Sequence, residues 1–320
     1  MSETSSTRNN EKNNEKPSAW SDAPPSNSPL FWLACLLVLK LVAPFVPIPN
    51  YSVAVITSAL FTVAYVVTVV MFVAQLLRRP MTLVQRIALL AMALCLWSAF
   101  SFAAAPLLGD AFKAANGQAD ATLRALANVV SVGTDVSLLC AAALGGSLVA
   151  QMISSPNLLG PLCGLLAMLD VWFVLFQGIA SQMIKDAPGY VDKVTAAAPA
   201  VGAAARSNFA ISPVGIGAAD YLFLGFFFAI MHRFGMNWRT STKLMIVLVC
   251  GALLAVMAGI SHLPGLLFIG LGAALPNLKF FEYSKEEKLA LMQAGGFVVL
   301  MTIGLYFAQP FIIARMQQVK

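Results

Sequence analysis

Apolar runs of about 20 residues recur along this chain, each long enough to cross the hydrocarbon core of a bilayer as a helix. Hydrophobic residues make up 59% of the 320 and charged residues only 11%, whereas a soluble domain carries about 25% charged residues. Mean hydropathy is +0.80. The fold class implied is all-α, a polytopic transmembrane bundle of about nine helices. Their spans read as 30–46, 51–77, 84–108, 126–152, 157–183, 210–231, 243–261, 264–278 and 289–313. Pro47 and Pro49 separate the first two, and the eighth begins at Pro264, a residue suited to a first helical turn.

Four regions are expected. Residues 1–28 are polar, rich in Asn, Ser, Glu and Pro, and read as a disordered tail with no secretory signal. Residues 29–155 hold the N-terminal transmembrane helices, 156–280 a functional transmembrane core, and 281–320 a last helix with a short tail. The net charge of +6 is not a nucleic-acid signal, because the Lys and Arg residues sit mostly between apolar runs, where they set topology. Arg78, Arg79, Arg86, Arg233, Arg239, Lys243, Lys279, Lys285 and Lys288 all fall on one side, together with the N-terminal Arg8, Lys12 and Lys16. That side is expected to be cytosolic, with the N-terminus inside, the C-terminus outside and the long 184–209 loop outside. This loop reads either as a plain connector or as a docking or gating segment.

Cys35, Cys95, Cys140, Cys163 and Cys250 lie in apolar stretches and act there as small hydrophobes. With no CxxC pair and two histidines far apart, no metal site is expected, and His262 reads as an interfacial loop residue.

Two aspartates dominate the functional reading. Asp170 lies in LLGPLCGLLAMLDVWFVLFQGIASQMI and Asp220 in ISPVGIGAADYLFLGFFFAIM, both deep in consecutive apolar spans. A carboxylate at the bilayer centre costs at least about 2.5–3.5 kcal/mol and is a functional-site hypothesis by default. Counted from the inner ends at about 1.5 Å per residue, both lie roughly 16–20 Å deep. Level carboxylates on neighbouring helices can face each other and share one proton. One then activates a water while the other polarises a carbonyl. Asp135 is a third carboxylate within a span, nearer the outer surface, with Thr134 and Ser137 as local hydrogen-bond partners. Lys40, in the first span, is expected to snorkel or to pair with a carboxylate. The small residues Gly217, Ala218 and Ala219 before Asp220 allow another backbone to come close. Pro264, Gly265 and Leu266 could leave unwound backbone at membrane depth, beside protein or a water-filled cavity.

These residues resemble the presenilin and signal peptide peptidase family of intramembrane aspartyl proteases. Leu169-Asp170 followed by VWFVLF is similar to that family's Tyr-Asp motif, Gly217-Ala218-Ala219-Asp220 to its Gly-x-Gly-Asp, and Pro264-Gly265-Leu266 to its Pro-Ala-Leu. Leu169, Ala219 and Gly265 depart from the family pattern, as do the helix counts before the first aspartate and after the third motif. The resemblance covers about 160–275 and implies a presenilin-like fold. It also implies catalytic Asp170 and Asp220, a cleft shaped by Gly217, Ala218, Ala219, Pro264, Gly265 and Leu266, no metal or organic cofactor, and transmembrane helical proteins or remnant signal peptides as substrates. The orientation expected for the two aspartate helices is that of the signal peptide peptidase branch. Two rival readings remain: a proton-coupled transporter using Asp135, Asp170 and Asp220 as a relay, and a catalytically silent homologue that binds membrane proteins.

Overall fold

A computed structural model describes residues 28–114, 121–175, 192–202, 215–260 and 263–318. The N-terminal tail, the C-terminal part of the fifth span, the first residues of the sixth, most of the 184–209 loop and His262 lie outside the described residues.

The described chain is predominantly helical. Helix α1 (Pro29–Val42) is followed by α2 (Tyr51–Arg78) and α3 (Leu83–Ser98), which runs through a π-helical segment (Ala99–Ala104) into α4 (Ala105–Ala114). Then come α5 (Ala121–Val149), α6 (Leu159–Leu175), a strand β1 (Thr195–Ala197), a strand β2 (Gly215–Gly217) and α7 (Ala218–Arg233). The chain continues as α8 (Trp238–Met257), α9 (Gly265–Ala274) and α10 (Lys285–Gln318). Local chemistry sets several starts. Ser28 caps α1 with Pro29 at its first position, Asn50 caps α2, and Thr82 with Gln85 forms a reciprocal capping box on α3.

Five stretches, Tyr51–Arg78, Leu83–Ala111, Ala121–Met152, Trp238–Met257 and Lys285–Gly304, are helices long and apolar enough to cross a membrane. Their packing differs. Half of the most apolar window of Ala121–Met152 is buried, but only 11% of that of Leu83–Ala111 and none of that of Lys285–Gly304. The last two therefore lie at the periphery, with apolar faces turned outward. Helix α7 is the hub: Phe226, Phe227, Phe228, Ile230 and Met231 are all buried, against α5 and α2 above all. The α5–α7 crossing is close because it is built on glycine. A Cβ at Gly146 would fall 1.9 Å from the Leu222 carbonyl oxygen, and one at Gly225 would fall 2.3 Å from that of Ala143. Such small residues hold helices together in lipid, where packing replaces the hydrophobic drive.

One end of the bundle is basic. Arg78 and Arg239 both stack on Trp238, Arg79 donates to Ser28, and Arg233 donates to the carbonyls of Ala150 and Gln151. Buried Asn277, close to Lys279, ties this end: its amide donates to Ser241 and Ala273 and accepts from the Asn237 N–H at 2.7 Å. The clusters after α2, α7 and α9 thus converge in space, as the sequence grouping implied.

Two expectations need correction. The sixth helix begins at Ala218, not near 210, because Gly215–Gly217 pair as a strand with Thr195–Ala197. Two glycines so close together weaken helix, and a three-residue strand of Gly-Ile-Gly has no side-chain obstacle to close pairing. The eighth helix begins at Gly265, with extended Pro264 outside as its cap residue.

Candidate active site

Asp170 lies in the last third of α6, and Asp220 in the first turn of α7. Asp220 is therefore not in the middle of a helix, yet it stands far from the basic end of the bundle. Arg233 at the basic end lies thirteen positions further on, about 20 Å at 1.5 Å per residue. The backbone reaching it is a strand, which at membrane depth is tolerated only against protein or a water-filled cavity. The strand has protein on one side and an open cavity on the other. Ala196 is fully buried on one side, and on the other a cavity of about 560 Å³ opens beside Gly215 and Ile216.

The Pro264-Gly265-Leu266 segment is the meeting point. Helix α9 packs between α6 on one side and α7 and α8 on the other. The Leu266 N–H donates to Asp170 Oδ2 at 2.7 Å. The first turn of α9 thus points its unsatisfied amides and positive dipole end at Asp170. On the same turn, a Cβ at Gly265 would sit 3.0 Å from Asp220 Oδ1. Adjacent residues of one turn contact the two carboxyls, and standard backbone dimensions then keep these within about 10 Å of each other. Asp220 also lies within the electrostatic reach of Asp170. Asp220 Oδ2 accepts from the Gly217 N–H at 3.2 Å, a local bond that fixes the side chain back over its own helix start.

The neighbourhood expected of the two aspartates differs in one respect. The main neighbour of α6 is α9, not α7, so the carboxyls meet across the α9 N-terminus rather than across a direct α6–α7 seam. The cavity is lined by Asp220, Gly265 and Ile216 together with apolar residues of α8 and α9, including Val249, Leu253 and Ile269; Asp170 is not among its lining residues. Among the cleft residues named from sequence, Gly265 touches Asp220, Leu266 holds Asp170, Gly217 holds Asp220, and Pro264 caps α9. Ala218 and Ala219 form the first turn of α7, with Ala219 exposed.

Asp135 behaves otherwise than expected. The Thr134 and Ser137 hydroxyls bond back to the carbonyls of Val130 and Gly133 in their own helix. Asp135 instead forms an ion pair with Lys40, both largely buried. Lys40 also donates to the Ala197 carbonyl at 2.7 Å and stands 5.2 Å above the Tyr65 ring. The Tyr65 and Tyr221 hydroxyls share a hydrogen bond of 2.6 Å. Sequence reading raised the pairing of Lys40 without a partner and missed both tyrosines. The signal was there: one lysine and one spare aspartate in apolar spans each need a countercharge.

Among the described residues no group of three or more His, Cys, Asp or Glu could hold a metal ion. Set against protein-family models, curated proteins and solved structures, the chain finds no match.

Proposed function

We propose that this chain is an intramembrane aspartyl protease of the presenilin and signal peptide peptidase type, a divergent member that hydrolyses peptide bonds within transmembrane segments. The observation that carries the reading is the α9 N-terminus, where Leu266 bonds Asp170 and Gly265 abuts Asp220. Three motifs far apart in sequence meet in one place, which supports the reading.

In this reading a water lies between the carboxyls. The ionised member takes a proton from it as the water oxygen attacks the scissile carbonyl carbon, and the protonated member gives its proton to the carbonyl oxygen. Breakdown of the tetrahedral species breaks the C–N bond and returns a proton to the leaving amine. Asp170 is held by the Leu266 amide, and Asp220 faces the cavity that would receive substrate. The apolar wall of Val249, Leu253 and Ile269 suits the side chains of a transmembrane helix made extended at the cleavage point. The basic end of the bundle is then cytosolic, with the N-terminus inside and the C-terminus outside. Substrates are transmembrane helical proteins or remnant signal peptides in the same bilayer.

One observation favours a second reading, the catalytically silent homologue. Oδ2 of each aspartate already serves a helix start, Asp170 at α9 and Asp220 at α7, so both could be caps alone. The experiment that separates the two is cleavage of a model transmembrane peptide by purified protein. Asp170→Asn and Asp220→Asn should each abolish cleavage while leaving a folded, inserted protein. Wild-type protein that leaves such peptides intact would favour the silent reading, and an active Asn variant would remove that aspartate from the chemistry.

A further inference from the structure

Lys40 lies on α1, outside the two aspartate helices, yet two chains of contacts run from its ammonium group to either side of Asp220. The first goes through backbone. Lys40 Nζ donates to the Ala197 carbonyl at 2.7 Å. Ala197 pairs with Gly215 in the β1–β2 ladder, and the same ladder pairs Thr195 with Gly217. Gly217 in turn donates its N–H to Asp220 Oδ2. The second goes through rings. The ammonium lies over Tyr65, whose hydroxyl bonds that of Tyr221, the residue next to Asp220. Asp135 on α5 completes the arrangement by pairing with Lys40.

We propose that Lys40 is a positioning residue, which clamps the β1–β2 hairpin and the first turn of α7 and so sets where the Asp220 carboxyl stands. The consequence for catalysis rests on the protease reading; the clamp itself does not. A two-stranded hairpin of three-residue strands has little stability of its own. Its glycines at 215 and 217 add backbone freedom. Something outside must hold it, and the surroundings divide that task. Trp97 donates to the Lys193 carbonyl just before β1, and Gly202 donates to the Ala43 carbonyl beyond it. Apart from Asp220 itself, which accepts from Gly217, Lys40 is the residue whose side chain bonds the ladder, among the described residues. A misplacement of about 1 Å at a reacting group can cost on the order of 100-fold in rate. Asp135 is then the countercharge that lets an ammonium sit at this depth, without touching the reacting groups itself.

The test uses the full chain in detergent or lipid. Lys40→Met alone leaves Asp135 buried and unpaired and could fail to fold, so the informative variant is Lys40→Met/Asp135→Leu. It removes the pair together, and an apolar replacement of a buried pair is well tolerated. The first readout is hydrogen exchange at the amides of Thr195–Ala197 and Gly215–Gly217. These should exchange at least 10-fold faster in the double variant, with α8 unchanged. Unchanged hairpin exchange would overturn the clamp, whether or not the protein cleaves anything. The second readout is cleavage. kcat should fall on the order of 100-fold with KM changed little, and Lys40→Arg alone, which keeps both the pair with Asp135 and a donor toward Ala197, should retain part of it. A looser hairpin with kcat unchanged would overturn the positioning role. If wild-type protein cleaves no transmembrane peptide, the protease reading fails, and the exchange measurement still decides the clamp.

Discussion

Gly265 offers the sharpest perturbation of the site, because the space around it is known atom by atom. A Cβ there would lie 3.0 Å from Asp220 Oδ1, 3.4 Å from Cγ and 3.5 Å from Oδ2. The nearest approach is a few tenths of an ångström too close, so in Gly265→Ala the Asp220 side chain must turn away slightly. Turning a side chain about 30° from its rotamer costs about 0.5–1.5 kcal/mol. If that falls on the reacting geometry, cleavage drops about 2- to 10-fold. The helix itself gains up to about 1 kcal/mol from Ala over Gly, so the melting temperature should hold or rise. The resemblance, whose family carries Ala here, predicts preserved or raised cleavage instead, and the tight contact argues for a modest fall. Gly265→Leu behaves differently. Its side chain has somewhere to go, the cavity of about 560 Å³ that Gly265 lines, so the protein should fold. The leucine then stands where substrate backbone must approach Asp220, and cleavage should fall on the order of 100-fold or more. The assay is cleavage of a transmembrane peptide by each purified variant, read by mass spectrometry beside a thermal melt. A folded Gly265→Leu protein that cleaves within about threefold of wild type would refute the placement of α9 at the active site.

Asp135→Asn keeps an acceptor beside Lys40 and leaves Lys40 free to hold Ala197, so measurable cleavage should remain; complete loss in a well-folded protein would favour a three-carboxylate relay. Gly225→Ala should lower the melting temperature, by about 1–3 kcal/mol of stability or more, because its Cβ would meet the Ala143 backbone at 2.3 Å, whereas Gly217→Ala, whose Cβ would meet nothing nearer than 3.7 Å, should melt like wild type. Val194, 45% exposed beside β1, reports orientation: in a background without the native cysteines, Val194→Cys should react with an impermeant thiol reagent added from outside. Labelling only after permeabilisation would reverse the assigned topology.

The helices were legible because their signal is length and continuous hydrophobicity, which a bilayer enforces without tertiary detail. Helix α2 lies within one residue of its expected ends, whereas α5 and α8 each begin five residues before their expected starts. The aspartates were legible for the complementary reason, as charge where charge is expensive. What escaped was set by partners distant in sequence. The Ala-rich stretch after Lys193 carries no strand pattern, and Thr195–Ala197 become a strand only because β2 pairs with them and Lys40 holds Ala197. The start of α7 moved from about 210 to Ala218 for the same reason. That α9 separates α6 from α7 could not be read from spacing, since depth along a helix says nothing about which helix stands beside it. The 184–209 loop, taken as connector or gate, contains in its described part a docked segment, with Ala196, Ala198 and Val201 buried and Gly202 held by Ala43.

The most direct test of the central claim treats the aspartates as a pair. Cleavage rates of one transmembrane peptide would be measured for wild type, Asp170→Asn, Asp220→Asn and the double variant, with folding checked for each. Groups that work as one catalytic unit are not additive, so each single change should remove nearly all activity, on the order of 1,000-fold or more, and the double should be no worse. Losses that multiply would mean two independent contributions, and cleavage surviving in either single variant at near wild-type rate would contradict the shared active site altogether.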